Sequence, residues 1–246
     1  YGIYSHKIKS VIISHQMQVK MPVARYLEPV IQKWLYGRHK KFSSVWIPDI
    51  KGEPNLSGDL GHTNNLHPDT KYLGILTRFE DKKEIIATKN QVLVILSGPE
   101  PQRSMLEEIL LNQAAALPYH FIIVQGKSEK KETIQLHDNV QLITFCRADE
   151  LNILILQAEI IIARGGYSTL MDLALFGKKC IFIPTPGQTE QEYLVHTLKE
   201  KKLCIQAKQQ AIQLNTLLQL AISSNYRFYI PAEKELFKKI IAAEIT

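Results

Sequence analysis

The stretch IIIARGGYSTLMDLALF, residues 160–176, carries three signals in direct succession. Ile160–Ala163 is an apolar run of strand length. Arg164-Gly165-Gly166 follows with no spacer, and Thr169–Phe176 then reads as a helix. A buried strand that runs into a glycine pair and then a helix is the repeating unit of a parallel sheet.

The same alternation extends on both sides. Short apolar runs recur at Val92–Leu96, His120–Val124, Val140–Thr144, Cys180–Ile183 and Leu203–Ile205. They are rich in Val and Ile and nearly continuous in apolar character, as strands covered on both faces must be. Helical stretches lie at Ser104–Leu117, Asp149–Gln157 and Glu190–Lys202. The pattern predicts an α/β fold with a complete Rossmann-like parallel sheet.

The first 80 residues are sparser. Ser10–Ser14 and Ser43–Ile47 read as strands, Lys71–Leu76 as a possible third, and Pro22 to Lys40 as a helix interrupted by Pro29 and Gly37. Pro48 to Asp69 is rich in Gly, Pro, Asn, Asp and His, which predicts a long loop. So few strands do not bury a core of their own. The expectation is therefore a partial α/β domain at residues 1–78, followed by the Rossmann-like domain at residues 79–246. Thr77–Asn90 is the expected linker, and Ala232–Ala243 is expected to pack as an amphipathic helix across it. Residue 1 is Tyr and no signal peptide follows, so the sequence is expected to begin inside a longer protein.

Composition excludes several classes. Of 246 residues, 45% are hydrophobic and 22% charged, an ordinary globular mixture rather than a disordered or collagen-like one. No apolar run reaches the roughly 18–20 residues of a membrane span. The net charge of +6 suits phosphate-bearing ligands or an anionic membrane, and equally a solvated basic surface. Cys146, Cys180 and Cys204 form no C-x-x-C pair, so zinc and redox motifs are absent and a reducing compartment is expected.

Ligands of an open parallel sheet bind where strands end and loops enter helices. Four such segments stand out. Ser97-Gly98-Pro99-Glu100-Pro101-Gln102-Arg103 combines a close-approach glycine with a cation able to meet a phosphate, or is simply a turn. Arg164-Gly165-Gly166-Tyr167-Ser168-Thr169 is an anion cradle at a helix start. There Asp172 either completes a capping box with Thr169 or faces ribose hydroxyls. Pro184 to Glu192 places Gln188, Glu190 and Gln191 at a helix start, with Thr189 and Glu192 spaced as a capping box; the amides and carboxylates suit sugar hydroxyls, or form a solvated helix end. Phe145-Cys146-Arg147 offers backbone groups to a base edge.

The ordered trio ARGGYSTLMD (163–172), GKKCIFIP (177–184) and TEQEY (189–193) resembles the carboxyl-terminal domain of the MurG-like glycosyltransferases, GT-B enzymes that move a sugar from a UDP-sugar to an acceptor. The resemblance implies that Asp172 holds the ribose, although the family more often has Glu. It implies that the diphosphate meets Ser97, Gly98, Gly165, Gly166 and Ser168 or Thr169, with Arg103 or Arg164 stabilising the leaving charge. It further implies that the base is read beside Phe145 at Cys146, and that Gln191, with Gln188 and Glu190, contacts the sugar. The first loop departs from the family's Gly-Gly-Ser, since this chain has Leu-Ser-Gly-Pro-Glu-Pro at 96–101. VIISHQMQ (11–18) looks like the family strand that ends in a His near the acceptor, which makes His15 the expected general base.

The implied activity is an inverting, metal-independent transfer of an N-acetylhexosamine from a UDP-sugar to an acceptor hydroxyl. No cofactor and no nucleic-acid partner is expected, and no D-x-D metal motif of the metal-dependent kind is present. The implied acceptor is a carbohydrate or is lipid-linked, and the implied location is cytoplasmic, including the inner membrane face. For membrane contact, Tyr26 to Phe42 carries Leu27, Val30, Ile31, Trp34 and Leu35 beside Lys33, Arg38, His39, Lys40 and Lys41. That is an interfacial pattern, or an ordinary helix with a basic last turn. Two rival classes stay open: a UDP-sugar epimerase or hydrolase of the same fold, and a non-catalytic nucleotide-sugar module that needs a partner chain.

Overall fold

The structure, a computed structural model, describes residues 9–20, 26, 28–82, 84–127, 131–231, 233 and 235–245. The chain divides into two compact units, Tyr1–Leu76 with Ile230–Thr246, and Thr77–Tyr229.

In the first unit, β1 (Val11–Ile13), α1 (Glu28–His39), β2 (Ser44–Ile47) and β3 (Thr70–Tyr72) build a parallel three-stranded sheet in the order β1-β2-β3. The central strand is fully covered, with Val45 and Ile47 packed on Met17, whereas Ile13 on the edge strand is 58% exposed. α1 runs through both expected interruptions. Pro29 is tolerated because it sits in the first turn, where its missing N–H has no partner to lose. Residues 21–25 and 27, which begin the expected helix, lie outside the described residues. The loop after β2 is organised by the buried Asp49. Its carboxylate accepts the N–H groups of Ile50 (2.8 Å), Leu56 (3.1 Å) and Ser57 (2.8 Å), which would otherwise be buried without partners.

The second unit runs β4 (Gln91–Ile95), α2 (Gln102–Ala114), β5 (His120–Val124), β6 (Thr133–His137), β7 (Val140–Ile143), α3 (Ala148–Gln157), β8 (Ile160–Ala163), α4 (Tyr167–Leu173), β9 (Lys179–Phe182), α5 (Thr189–Glu200), β10 (Ile205–Gln206) and α6 (Leu214–Ser223). Its sheet has the order β10-β9-β8-β4-β5-β7-β6, parallel except for β6. The chain therefore winds outward from β4 to β7, returns to β8 beside β4, and winds the other way. This is the doubly wound arrangement expected from the alternation, and its switch point lies between β4 and β8. Ile160, Ile161 and Ile162 are at most 1% exposed. Burial of each contributes about 1.5–3 kcal/mol, which anchors the strand that delivers the glycine pair.

Two elements differ from the expectation. β6 is an added antiparallel edge whose five residues are all exposed; its one mark in the sequence is the alternation of Ile134 and Leu136 with Thr133, Gln135 and His137. α6, which the expectation left out, buries Leu214, Leu218 and Ala221 against the core, with Leu217 packed beside them, at a helical spacing that is present in the sequence. The carboxyl-terminal helix α7 (Leu236–Ile245) groups with the first unit, where Glu244 pairs with Lys71 and lies 3.6 Å from Lys9. Residues 230–246 thus leave the expected 79–246 domain, and Ala232 and Lys234 lie outside the described residues. No helix among the described residues is long and apolar enough to cross a membrane.

Candidate functional site

β4 and β8 are hydrogen-bonded neighbours, with Ile95 opposite Ala163, and their chains part at the carboxyl ends. The loop after β4 turns at Gly98, whose φ of +99° disfavours any side chain. A methyl on Gly98 would stand 3.8 Å from Thr185 Oγ1, in the loop after β9. The Thr185 N–H donates to Gln191 Oε1 at 2.9 Å, and Gln191 Nε2 donates to Gln188 Oε1. Gln191 Nε2 in turn lies 3.8 Å from where a methyl on Gly166 would be. A methyl on Gly165 would fall 2.3 Å from Val195 Cγ2, so only glycine lets this loop lie against α5. Three of the four loops therefore converge, with Thr185 and Gln191 joining them.

The two expected phosphate-binding arginines are placed otherwise. Arg164 is 1% exposed, and its guanidinium donates to the carbonyls of Gln102 (2.6 Å), Ile183 (3.2 Å) and Pro184 (3.4 Å). Burial lowers its pKa to about 10, which still leaves it charged at neutral pH. It binds the first and third loops together through both terminal nitrogens, while its buried Nε has no hydrogen-bond partner among the described residues. Arg103 donates through Nε to Glu100 Oε1 (2.9 Å) and through Nη1 to the Gln125 carbonyl (3.1 Å). The hydrogen bonds from Arg103 and Ser104 hold the exposed Glu100 carboxyl down at about 2.

Both expected capping boxes are absent. α4 begins at Tyr167 with Gly166 as its cap, so Thr169 and the exposed Ser168 lie inside the first turn. α5 begins at Thr189 behind Gln188, without a side-chain cap, because the Gln188 amide oxygen is taken by Gln191. Asp172 is left to another role. Its carboxylate accepts the Thr77 hydroxyl at 3.3 Å and pairs with Arg78 Nε at 3.2 Å. Burial raises its pKa, and Arg78 opposes the rise. Arg78 is 62% exposed in its side chain and lies over the Phe79 ring at 4.9 Å. In the sequence Arg78 is one residue of the polar linker at 77–90 and carries no signal of its own, and neither does a single threonine, Thr185, in a Pro-rich loop.

The remaining residues do not join this cluster. Phe145 is exposed and Cys146 half-buried on the loop after β7, two strands from β4. Burial and the Glu150 carboxylate push the Cys146 thiol up to about 11, so it stays protonated. Glu190 lies in the first turn of α5, and Ser97 is half-buried where β4 ends. His15 belongs to the first unit, half-buried in the loop after β1, and its carbonyl would lie 3.2 Å from a methyl on Gly61.

Residues 92–241 match the glycosyltransferase family 28 C-terminal domain, well over half of the chain. The chain belongs to glycosyltransferase family 28. A relative from Sulfurihydrogenibium sp. (strain YO3AOP1), a UDP-N-acetylglucosamine--N-acetylmuramyl-(pentapeptide) pyrophosphoryl-undecaprenol N-acetylglucosamine transferase, is 26% identical over 129 residues. The match covers 51% of this chain and 36% of the relative. An uncharacterized glycosyltransferase of Methanosarcina mazei is 22% identical over 181 residues, covering 72% of this chain and 47% of the relative. The family 28 chain thus spans between about a third and a half of these relatives' lengths. Among solved structures, Acinetobacter baumannii MurG shares the fold at a TM-score of 0.54 and 14% identity, over 88% of this chain and 57% of that one. The α/β architecture expected from the sequence is the one these glycosyltransferases share.

Proposed function

We propose that this family 28 chain binds a UDP-sugar in its second unit and takes part in inverting, metal-independent transfer of an N-acetylhexosamine to an acceptor hydroxyl. The observation that carries the reading is the convergence of Gly98, Thr185, Gln191 and the Gly165-Gly166 pair at the β4/β8 switch point. The name of the Sulfurihydrogenibium relative supports the choice of sugar and of a lipid-linked acceptor.

In this reading the diphosphate lies over the Gly98 turn and the glycine pair, near the N-termini of α2 and α5. Asp172 accepts the ribose hydroxyls through lone pairs that Thr77 and Arg78 leave open. Arg78, rather than Arg164 or Arg103, supplies the mobile positive charge that stabilises the leaving diphosphate. Gln191, with its amide oriented by Thr185, and Glu190 address the sugar hydroxyls. The backbone at Cys146 reads the base. His15 takes the proton of the acceptor hydroxyl as that oxygen attacks the anomeric carbon opposite the departing UDP. Titration calorimetry with UDP tests the donor site: unchanged affinity in both Asp172→Ala and Gly166→Trp would refute it.

Contact with an anionic membrane surface belongs to the same reading. On α1, Val30 (67% exposed) and Trp34 (60%) face solvent beside Lys33 and Arg38, with the Arg38 guanidinium 4.9 Å from the Trp34 ring. Exposed Trp among cations suits the interface of an acidic bilayer, where a lipid-linked acceptor resides. Leu27, part of the expected apolar set, lies outside the described residues.

A further inference from the structure

Thr185 is 2% exposed, and among the described residues its Oγ1 has no hydrogen-bond partner. Both of its backbone groups are engaged. The N–H donates to Gln191 Oε1 at 2.9 Å, and the carbonyl accepts the Gln188 N–H at 3.0 Å. The residue is thus clamped in place, and β-branching restricts its χ1, so the direction of the hydroxyl is set by the fold. That direction is towards the turn after β4, where the missing side chain of Gly98 leaves backbone alone over the hydroxyl. The turn residues Gly98, Pro99 and Glu100 are themselves exposed.

A buried hydroxyl without a partner is unfavourable, a cost that a valine of the same shape would avoid. Among the described residues this hydroxyl, like Arg164 Nε, is left with hydrogen-bonding capacity that a ligand or an ordered water can take up. We infer that the Thr185 hydroxyl is a hydrogen-bond donor to the diphosphate of the bound nucleotide-sugar, uncovered when the Gly98–Glu100 turn shifts outward. The inference rests on the donor site proposed above and adds a residue to it. A hydroxyl suits this place because it donates to an anionic oxygen without adding charge beside the buried Arg164. Thr185 recognises the phosphates only, so it discriminates between a nucleoside diphosphate and its nucleoside.

The test is calorimetric titration of the chain and of Thr185→Val and Thr185→Ser with UDP and with uridine, alongside the thermal melt of each protein. Loss of one donor to a charged acceptor predicts about tenfold weaker UDP binding in Thr185→Val, unchanged uridine binding, and near-normal binding of both by Thr185→Ser. The melting temperature of Thr185→Val should stay level or rise. If that variant fails to fold, Thr185→Ala makes the same comparison. UDP affinity equal to wild type in the hydroxyl-free variant, or equal losses for UDP and uridine, overturns the inference and leaves the donor site standing. Failure of the wild-type chain to bind UDP removes the donor site and this inference together.

Discussion

The backbone N–H of Thr185 donates to the side-chain oxygen of Gln191 across 2.9 Å, tying the end of β9 to the first turn of α5. That bond orients the Gln191 amide so that its nitrogen lies beside Gly166. A side chain that a sequence reading assigns to a sugar is thus also part of the frame that brings three loops together.

The approach of the second loop to α5 makes Gly165 sensitive. Gly165→Ala places a methyl 2.3 Å from Val195 Cγ2, and overpacking of this kind destabilises by about 1–3 kcal/mol. Val195→Ala in the same chain should recover most of that loss. Gly166→Ala, with 3.8 Å of clearance, should fold normally. Urea denaturation of wild type, both single variants and the double variant measures the coupling, with Gly166→Ala as the control.

Arg164 and Arg78 should separate by readout. Arg164→Met strands three buried carbonyls and should cost at least about 2 kcal/mol of stability, measured by urea denaturation. Arg78→Met leaves Asp172 without its cation and should cost about 1 kcal/mol or less, as for a partly exposed ion pair. It should nonetheless weaken UDP binding and flatten the salt dependence of that binding, read by calorimetry at several ionic strengths.

Asp172 should give nucleotide binding an acid limit. Its folded pKa is raised above the ordinary carboxylate value by burial, so it protonates at higher pH than an exposed Asp. Between the unfolded and folded values the native chain holds the extra proton. Its contribution to stability is therefore greatest below the unfolded value and is lost as pH rises through the folded one. Ribose binding needs the carboxylate, so UDP affinity should run the opposite way and fall as pH drops through the folded value. Asp172→Asn should bind UDP more weakly, with no such acid limb in a calorimetric pH series.

Trp34 should dominate membrane contact. Trp34→Glu should abolish co-sedimentation with vesicles rich in phosphatidylglycerol, whereas Lys82→Glu, on the second unit, should not. Equal binding by both variants, or no binding by the wild type, would rule out docking through α1.

The parallel sheet was legible because buried strands must be apolar along their whole length, and runs such as Ile160–Ala163 and Cys180–Ile183 show this without any knowledge of their neighbours. The glycines were legible for a related reason, since they mark backbone that must turn sharply or come close to something. The exposed strand β6 was marked only by a short alternation, Thr133-Ile134-Gln135-Leu136-His137, with none of the continuous apolar character of the buried strands. The directions of the charged groups were not legible. Sequence placed Arg164 at the right loop, but only the packed chain shows that carbonyls after β9 and at the start of α2 claim its guanidinium, while Arg78, 94 positions from Asp172, becomes the cation beside that carboxylate. Periodicity and residue type are local properties and marked most of the strands and helices, while the ordered motifs at 163–193 carried the resemblance to the family. Which donor meets which acceptor depends on residues far apart in the chain, and tertiary packing alone decided that.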